Sequence, residues 1–235
     1  RRDAAAVPEI ISLLKDADGF IVEAAIRSLG RIGTPECIDA LTNAVSQPGL
    51  PFTIMCALGD GISFAAETAM RAGNVGDAIR LYDAAYGAES LPVHVRAAGL
   101  RGAILARAPQ DGLHLLLDAI KGDNPDFFIM ALRTAIEMEG KGTVAKGIAD
   151  MLPSVAEERK IQVIQALGEL GQKNAGAALL NEANVGALPV RIAALRAAVR
   201  LGYEEVIPVL TVLLSAEDAN LARAAREGLS YFPGK

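Results

Sequence analysis

The stretch Gln165-Ala166-Leu167-Gly168-Glu169-Leu170-Gly171 closes an apolar segment with a glycine, and it decides how the rest of the chain is read. Glycine tolerates the left-handed backbone needed at a helix end, and proline cannot continue a helix, so both residue types suit a helix stop. Gly140, Gly171, Gly202 and Pro233 each close such a segment, and successive stops are 31 residues apart. Within each interval apolar residues recur at three and four, the period of a helix that buries one stripe. Aligning the stops superimposes Leu29, Ile136, Leu167, Ala198 and Leu229 at one position. Four residues earlier stand Ala25, Leu132, Val163, Ala194 and Ala225. Both sets are predicted core positions, with the small residues marking where helices approach closely.

A helix, a sharp stop and a second, shorter helix can be read in three places: Phe20 to Gly33 then Pro35 to Val45, Glu157 to Gly171 then Asn174 to Glu182, and Val190 to Gly202 then Glu204 to Leu214. The strings Ile26-Arg27-Ser28-Leu29-Gly30-Arg31-Ile32-Gly33 and Gln165 to Gly171 resemble HEAT repeats, in the short bacterial form also found in phycobilin-lyase-like proteins. The resemblance implies an all-α fold, a right-handed α-solenoid (alpha-alpha superhelix) of about six HEAT-like helix pairs forming a single array over residues 1–235. It weakens in the middle. Leu50-Pro51, Leu91-Pro92 and Leu188-Pro189 open equivalent first helices, of which the central ones are longer. In the longest, Gly59-Asp60-Gly61 predicts a break or kink, because interior glycines cost roughly 1 kcal/mol each. The run from Ala72-Gly73-Asn74 to Ala85 is similar to the second helix of a tetratricopeptide repeat and reads as a local variation of the same pair.

At the ends, Val7 to Leu14 reads as a second helix without a first, and Leu221 to Phe232 as a first helix without a second. Both ends fall in mid-repeat, without an initiator methionine, so the expectation is a segment excised from a longer protein.

Composition narrows the function. Residues AVILMFWYC make up 51% of the chain, with no Trp, four Tyr and six Phe, which suits closely packed aliphatic helices rather than a sheet. A net charge of −5 argues against general affinity for nucleic acid, which depends on neutralising phosphates. No apolar run has the length of a membrane span, no signal-like region follows the first residues, and a cytoplasmic location is favoured. The only cysteines, Cys37 and Cys56, read as two buried free thiols, although their neighbouring helices would also permit a bridge.

Charge is sorted by helix. The second-helix segments together carry −9, the first-helix segments with the final helix carry +5, and residues 1 to 18 carry −1. Second helices line the concave face of HEAT-like solenoids, so the resemblance implies an acidic inner surface. Its candidate binding residues are Glu36, Asp39, Asp77, Asp83, Asp111, Asp118, Glu204 and Glu205. The exposed aromatics Tyr82 and Tyr86 are further candidates, which packing between repeats would equally explain. Such a surface attracts basic partners and repels phosphate; the alternative is that these charges only solvate an apolar array. Arg96, Arg101 and Arg107, and likewise Arg191, Arg196 and Arg200, make two first helices basic. An arginine early in a HEAT-like first helix often pairs with an acidic residue of the neighbouring repeat, and the resemblance implies that role for Arg96 and Arg191.

Catalysis needs a nucleophile, a base and an orienting group, or a metal cluster. His94 and His114 are the only histidines and stand at no recognised metal spacing. Gly140-Lys141-Gly142-Thr143 lacks the spacing and preceding strand of a phosphate loop and reads as an inter-helix turn. Glu157-Glu158 and Glu204-Glu205 sit at predicted helix starts, where the helix dipole favours them. A DNA glycosylase with a HEAT-like fold would need a basic, aromatic groove, which this composition does not supply. The expectation is therefore a protein-protein interaction scaffold without cofactor or metal. Its expected partner is another protein with a basic surface, and neither nucleic acid nor membrane. The alternative is a phycobilin-lyase-like or other ligand-handling HEAT enzyme.

Overall fold

The glycine stops adopt the backbone that their position demands. In the computed structural model, which describes residues 3–232, Gly33, Gly140, Gly171 and Gly202 have φ of 69, 65, 70 and 62°. Gly33 and Gly171 donate their amides to Leu29 and Leu167, and Tyr203 donates to Ala198 across Gly202, so the last helical carbonyls are satisfied. Pro233 lies outside the described residues.

Fourteen α-helices result among the described residues, with no strand. They are α1 Val7–Ser12, α2 Gly19–Ile32, α3 Pro35–Val45, α4 Phe52–Arg71, α5 Val75–Gly87, α6 Val93–Ala106 and α7 Pro109–Lys121, followed by α8 Pro125–Glu137, α9 Lys141–Met151, α10 Glu157–Leu170, α11 Gly176–Val185, α12 Leu188–Arg200, α13 Ile207–Leu213 and α14 Ala219–Leu229. In chain order, α2 to α13 alternate as the first and second helices of the expected repeat. No helix among the described residues is long and apolar enough to cross a membrane. The chain divides into two compact units, Arg1–Thr134 and Ala135–Lys235.

In the first unit, first helix packs on first helix (α2 on α4, α4 on α6), and second helix α3 packs on α5. In the second, α10 packs on α12 and α12 on α14, with α9 against α11. Ala25, Leu132, Val163, Ala194 and Ala225 are all buried, as are Leu29, Leu167 and Ala198. Ile136 and Leu229 are only half-buried. Each fully buried Leu or Ile contributes about 1.5–3 kcal/mol from apolar area removed from water. The alanines contribute little area but permit the close helix crossings on which the larger residues depend.

Three expectations are corrected. First, of the break or kink expected at Gly59-Asp60-Gly61 the break is absent, because α4 is helical throughout Phe52–Arg71. A Cβ on Gly61 would lie 2.8 Å from Ile26 Cγ2 and 3.0 Å from the Ile26 carbonyl, and one on Gly59 would lie 2.7 Å from Val95 Cγ1. These glycines let α4 approach α2 on one side and α6 on the other, and the packing of Ala57, Leu58, Ile62, Ala65, Ala66 and Ala69 outweighs their poor helix propensity. Second, Arg96 and Arg191 pair with carbonyls rather than carboxylates. Arg96 Nε donates to Tyr86 O at 3.1 Å and its guanidinium stacks 5.2 Å over Phe127, while Arg191 Nε donates to Ala183 O at 2.9 Å. Both are fourth residues of their helices, reaching back to the C-terminal turn of the preceding second helix, where unsatisfied carbonyls and the helix dipole favour a cation. Contacts from arginine to carboxylate between neighbouring first helices are made instead by Arg27 to Asp60, 3.6 Å, and Arg196 to Glu227, 3.5 Å. Third, Lys141 to Thr143, expected in an inter-helix turn, form the first turn of α9, and the connection from α8 is Met138 to Gly140.

Cys37 is buried on α3, Cys56 is half-buried on α4, and both are free thiols.

Candidate functional site

The acidic second helices of the first unit carry six of the candidate residues, of which Asp39 and Asp77 are brought together. Glu36 and Asp39 lie on α3, Asp77 and Asp83 on α5, and Asp111 and Asp118 on α7. Arg80 of α5 forms an ion pair with Asp39 of α3 at 2.9 Å and lies 3.9 Å from Asp77 on its own helix. A single guanidinium thus fixes carboxylates of two successive second helices on one face. Glu36 is exposed in the first turn of α3, and its own backbone amide and the Thr34 hydroxyl hold its carboxyl below the ordinary value. Asp111 and Asp118 are exposed and two helical turns apart, so they share one face of α7.

Asp83 behaves differently. Arg107 Nη2 contacts both its oxygens, at 2.8 and 2.7 Å, while Nη1 of the same arginine donates to Ala103 O. That charge is spent on holding α5 to the end of α6. Glu204 and Glu205 form an exposed helical turn before α13 and belong to the second unit.

Tyr82 and Tyr86 are half-buried and pack between helices. The Tyr82 ring covers Gly102 of α6, and its hydroxyl is pushed up by desolvation and then by the charge of Glu67, against an opposing pull from Arg101. Tyr86 meets Phe127 edge-on at 5.1 Å. An open cleft of about 190 Å³ between α4, α5 and α6 is lined by Cys56, Asp60, Tyr82 and His94, among others, with the His94 ring tilted against Phe52 at 6.4 Å. His114 lies 3.4 Å from Gln110. Among the described residues no three His, Cys, Asp or Glu side chains are arranged to hold a metal.

Sequence reasoning missed one charged site. Glu182 is 1% exposed on α11, and Lys160 of α10 reaches it at 2.9 Å and Glu157 at 3.4 Å. Burial pulls the lysine pKa down, but the hydrogen bond and charge of Glu182, with those of Glu157, outweigh it and the net shift is upward. The signal was the lone carboxylate in Gly176–Val185, a helix otherwise free of charge.

Residues 1–50 match the HEAT repeats family. A comparison with curated proteins finds no match to the chain. Among solved structures, the chain is similar to the Escherichia coli protein YibA, with a TM-score of 0.52 and 18% identity over 99% of this chain and 83% of that one. Human deoxyhypusine hydroxylase in complex with glycerol matches with a TM-score of 0.47 and 11% identity over 99% and 86% of the two chains. An engineered protein matches with a TM-score of 0.45 and 17% identity over 97% and 68%. The first of these shows the shared fold, and the two below 0.5 carry no argument.

Proposed function

Taking as premise that the chain is a HEAT-like helical repeat protein, we propose that it is a protein-interaction scaffold whose working surface is the acidic second-helix face of the first unit. The observation that carries this reading is the Arg80 clasp, which joins Asp39 and Asp77 across α3 and α5. Two carboxylates around one guanidinium leave excess negative charge, to which the exposed Glu36, Asp111 and Asp118 add. At physiological salt a charge is felt over about 8 Å, so neighbouring helices reinforce one another at contact range while distant ones do not. The partner is a protein segment rich in Lys or Arg, steered to the face electrostatically and held by its rim charges. Asp83 takes no part, being neutralised by Arg107, and Glu204 and Glu205 form a separate patch in the second unit.

The experiment is an affinity capture from the source organism with native bait beside bait carrying Asp77→Lys, Asp111→Lys and Asp118→Lys. All three side chains lie at the surface, so folding should survive. Loss of specific basic proteins from the reversed bait supports the reading; identical captures from the two baits reject it.

A further inference from the structure

The first helices of the second unit present a surface of opposite character. Where α10 crosses α12, a Cβ on Gly168 would lie 3.4 Å from Ala197 Cβ, so the backbones lie close and the flanking side chains stand up as walls. Between them runs an open cleft of about 440 Å³ floored and walled by Ile161, Gln165, Ile192 and Ala197 and edged by Arg196 and Arg200. On the far side of α12 a second open cleft of about 550 Å³ is lined by Val199, Ala224, Gly228 and the exposed ring of Tyr231, by Glu227 and Ser230, and by the same two arginines. The ridge of α12 therefore carries two guanidiniums one turn apart, each bordering an apolar cleft on one side and a mixed apolar and polar one on the other.

These cations differ in their commitments. Arg196 lies 3.5 Å from Glu227 of α14, and both side chains are more than half exposed, which makes the pair weak. Arg200 has no carboxylate partner among the described residues. The cleft volumes fall within the roughly 300–1,000 Å³ typical of ligand sites. An apolar floor under paired arginines suits a chain that offers aliphatic or aromatic side chains beside carboxylates. A duplex nucleic acid would leave the hollows empty.

We infer that these clefts dock an acidic, aliphatic peptide segment of a partner protein, with apolar side chains seated on either flank of α12 and carboxylates on Arg196 and Arg200. The site is separate from the acidic face of the first unit and recognises the opposite charge, so the chain would hold two kinds of partner segment at once. Glu227 is the resident competitor for Arg196, and an arriving carboxylate must displace it.

The test pans a random peptide library against the intact protein, then measures the enriched peptides by fluorescence anisotropy on three proteins: native, Arg196→Glu with Arg200→Glu, and Glu227→Gln. Exposed charge pairs are individually worth a factor of roughly two to five, so reversing both arginines should weaken binding by about tenfold or more. Glu227→Gln should tighten it by about twofold. Unchanged thermal melts of the variants show that the fold is intact. Enriched sequences combining Asp or Glu with Leu, Ile or Phe, and following this order of affinities, support the inference. Basic sequences, binding indifferent to the arginine reversal, or no enrichment at all would overturn it.

Discussion

Gly30 faces Gly61 where α2 crosses α4, and Gly30→Ala tests whether that approach holds the first unit together. A Cβ on Gly30 would collide with the Gly61 carbonyl oxygen and come within 2.8 Å of Gly61 Cα. Both atoms are backbone, so no rotamer change relieves the clash and the two helices must separate by about 0.5–1 Å, an overpacking cost of about 1–3 kcal/mol. Alanine recovers about 1 kcal/mol of helix propensity at this interior position. Separation also loosens Ile26, Leu29, Leu58 and Ile62, which are all 1% exposed or less, so packing contacts are lost as well. The net expectation is a destabilisation of about 1–3 kcal/mol, or a Tm lower by about 2–12 °C at this chain length. Gly76→Ala in α5 is the control: nothing lies within 4 Å of its Cβ, so propensity alone should act and the Tm should rise or stay level. Thermal unfolding followed by circular dichroism reads both. Equal stabilisation by the two substitutions would refute the close-approach account and restore the view of these glycines as helix weaknesses.

In the second unit, Glu182→Leu strands a lysine whose side chain is 13% exposed, with Glu157 as its remaining partner, and should cost about 2–4 kcal/mol in urea unfolding. The double variant with Lys160→Met should recover most of that loss, since an apolar pair needs no desolvation. Because the folded pKa of Lys160 lies above its ordinary value of 10.5, the stabilisation is fully present below that pH and lost as pH rises through the folded value. The stability gap between native protein and Lys160→Met should therefore stay constant through neutral pH and close only in strong alkali. Leu167→Asp puts a carboxylate at a position with 0% exposure and should expose α10 and its neighbours α9 and α12 to hydrogen exchange, and an unchanged exchange map would contradict the repeat packing.

What could be read from the sequence was governed by local physics. The stops at Gly33, Gly171 and Gly202 and the bounds of α3 follow from backbone preferences and the apolar period, which need no knowledge of neighbouring helices. The unbroken course of α4 through Gly59-Asp60-Gly61 was not legible because propensity is a one-helix quantity, whereas those glycines answer to Ile26 and Val95 on other helices. Arg96 and Arg191 were placed at the right turn of the right helices, but the carbonyls they reach belong to backbone, which leaves no mark in side-chain sequence. The sorting of charge by helix was visible as a sum. Its internal spending was not, since Asp83 with Arg107 and Glu182 with Lys160 join residues 24 and 22 positions apart.

The scaffold reading is tested most directly by hydrogen exchange mass spectrometry of the native protein alone and with its strongest captured basic partner. Protection concentrated on Pro35–Val45, Val75–Gly87 and Pro109–Lys121 is the predicted footprint of a partner on the acidic second helices. Protection confined to the first helices Gly19–Ile32, Phe52–Arg71 and Val93–Ala106, with the second helices unchanged, would contradict it.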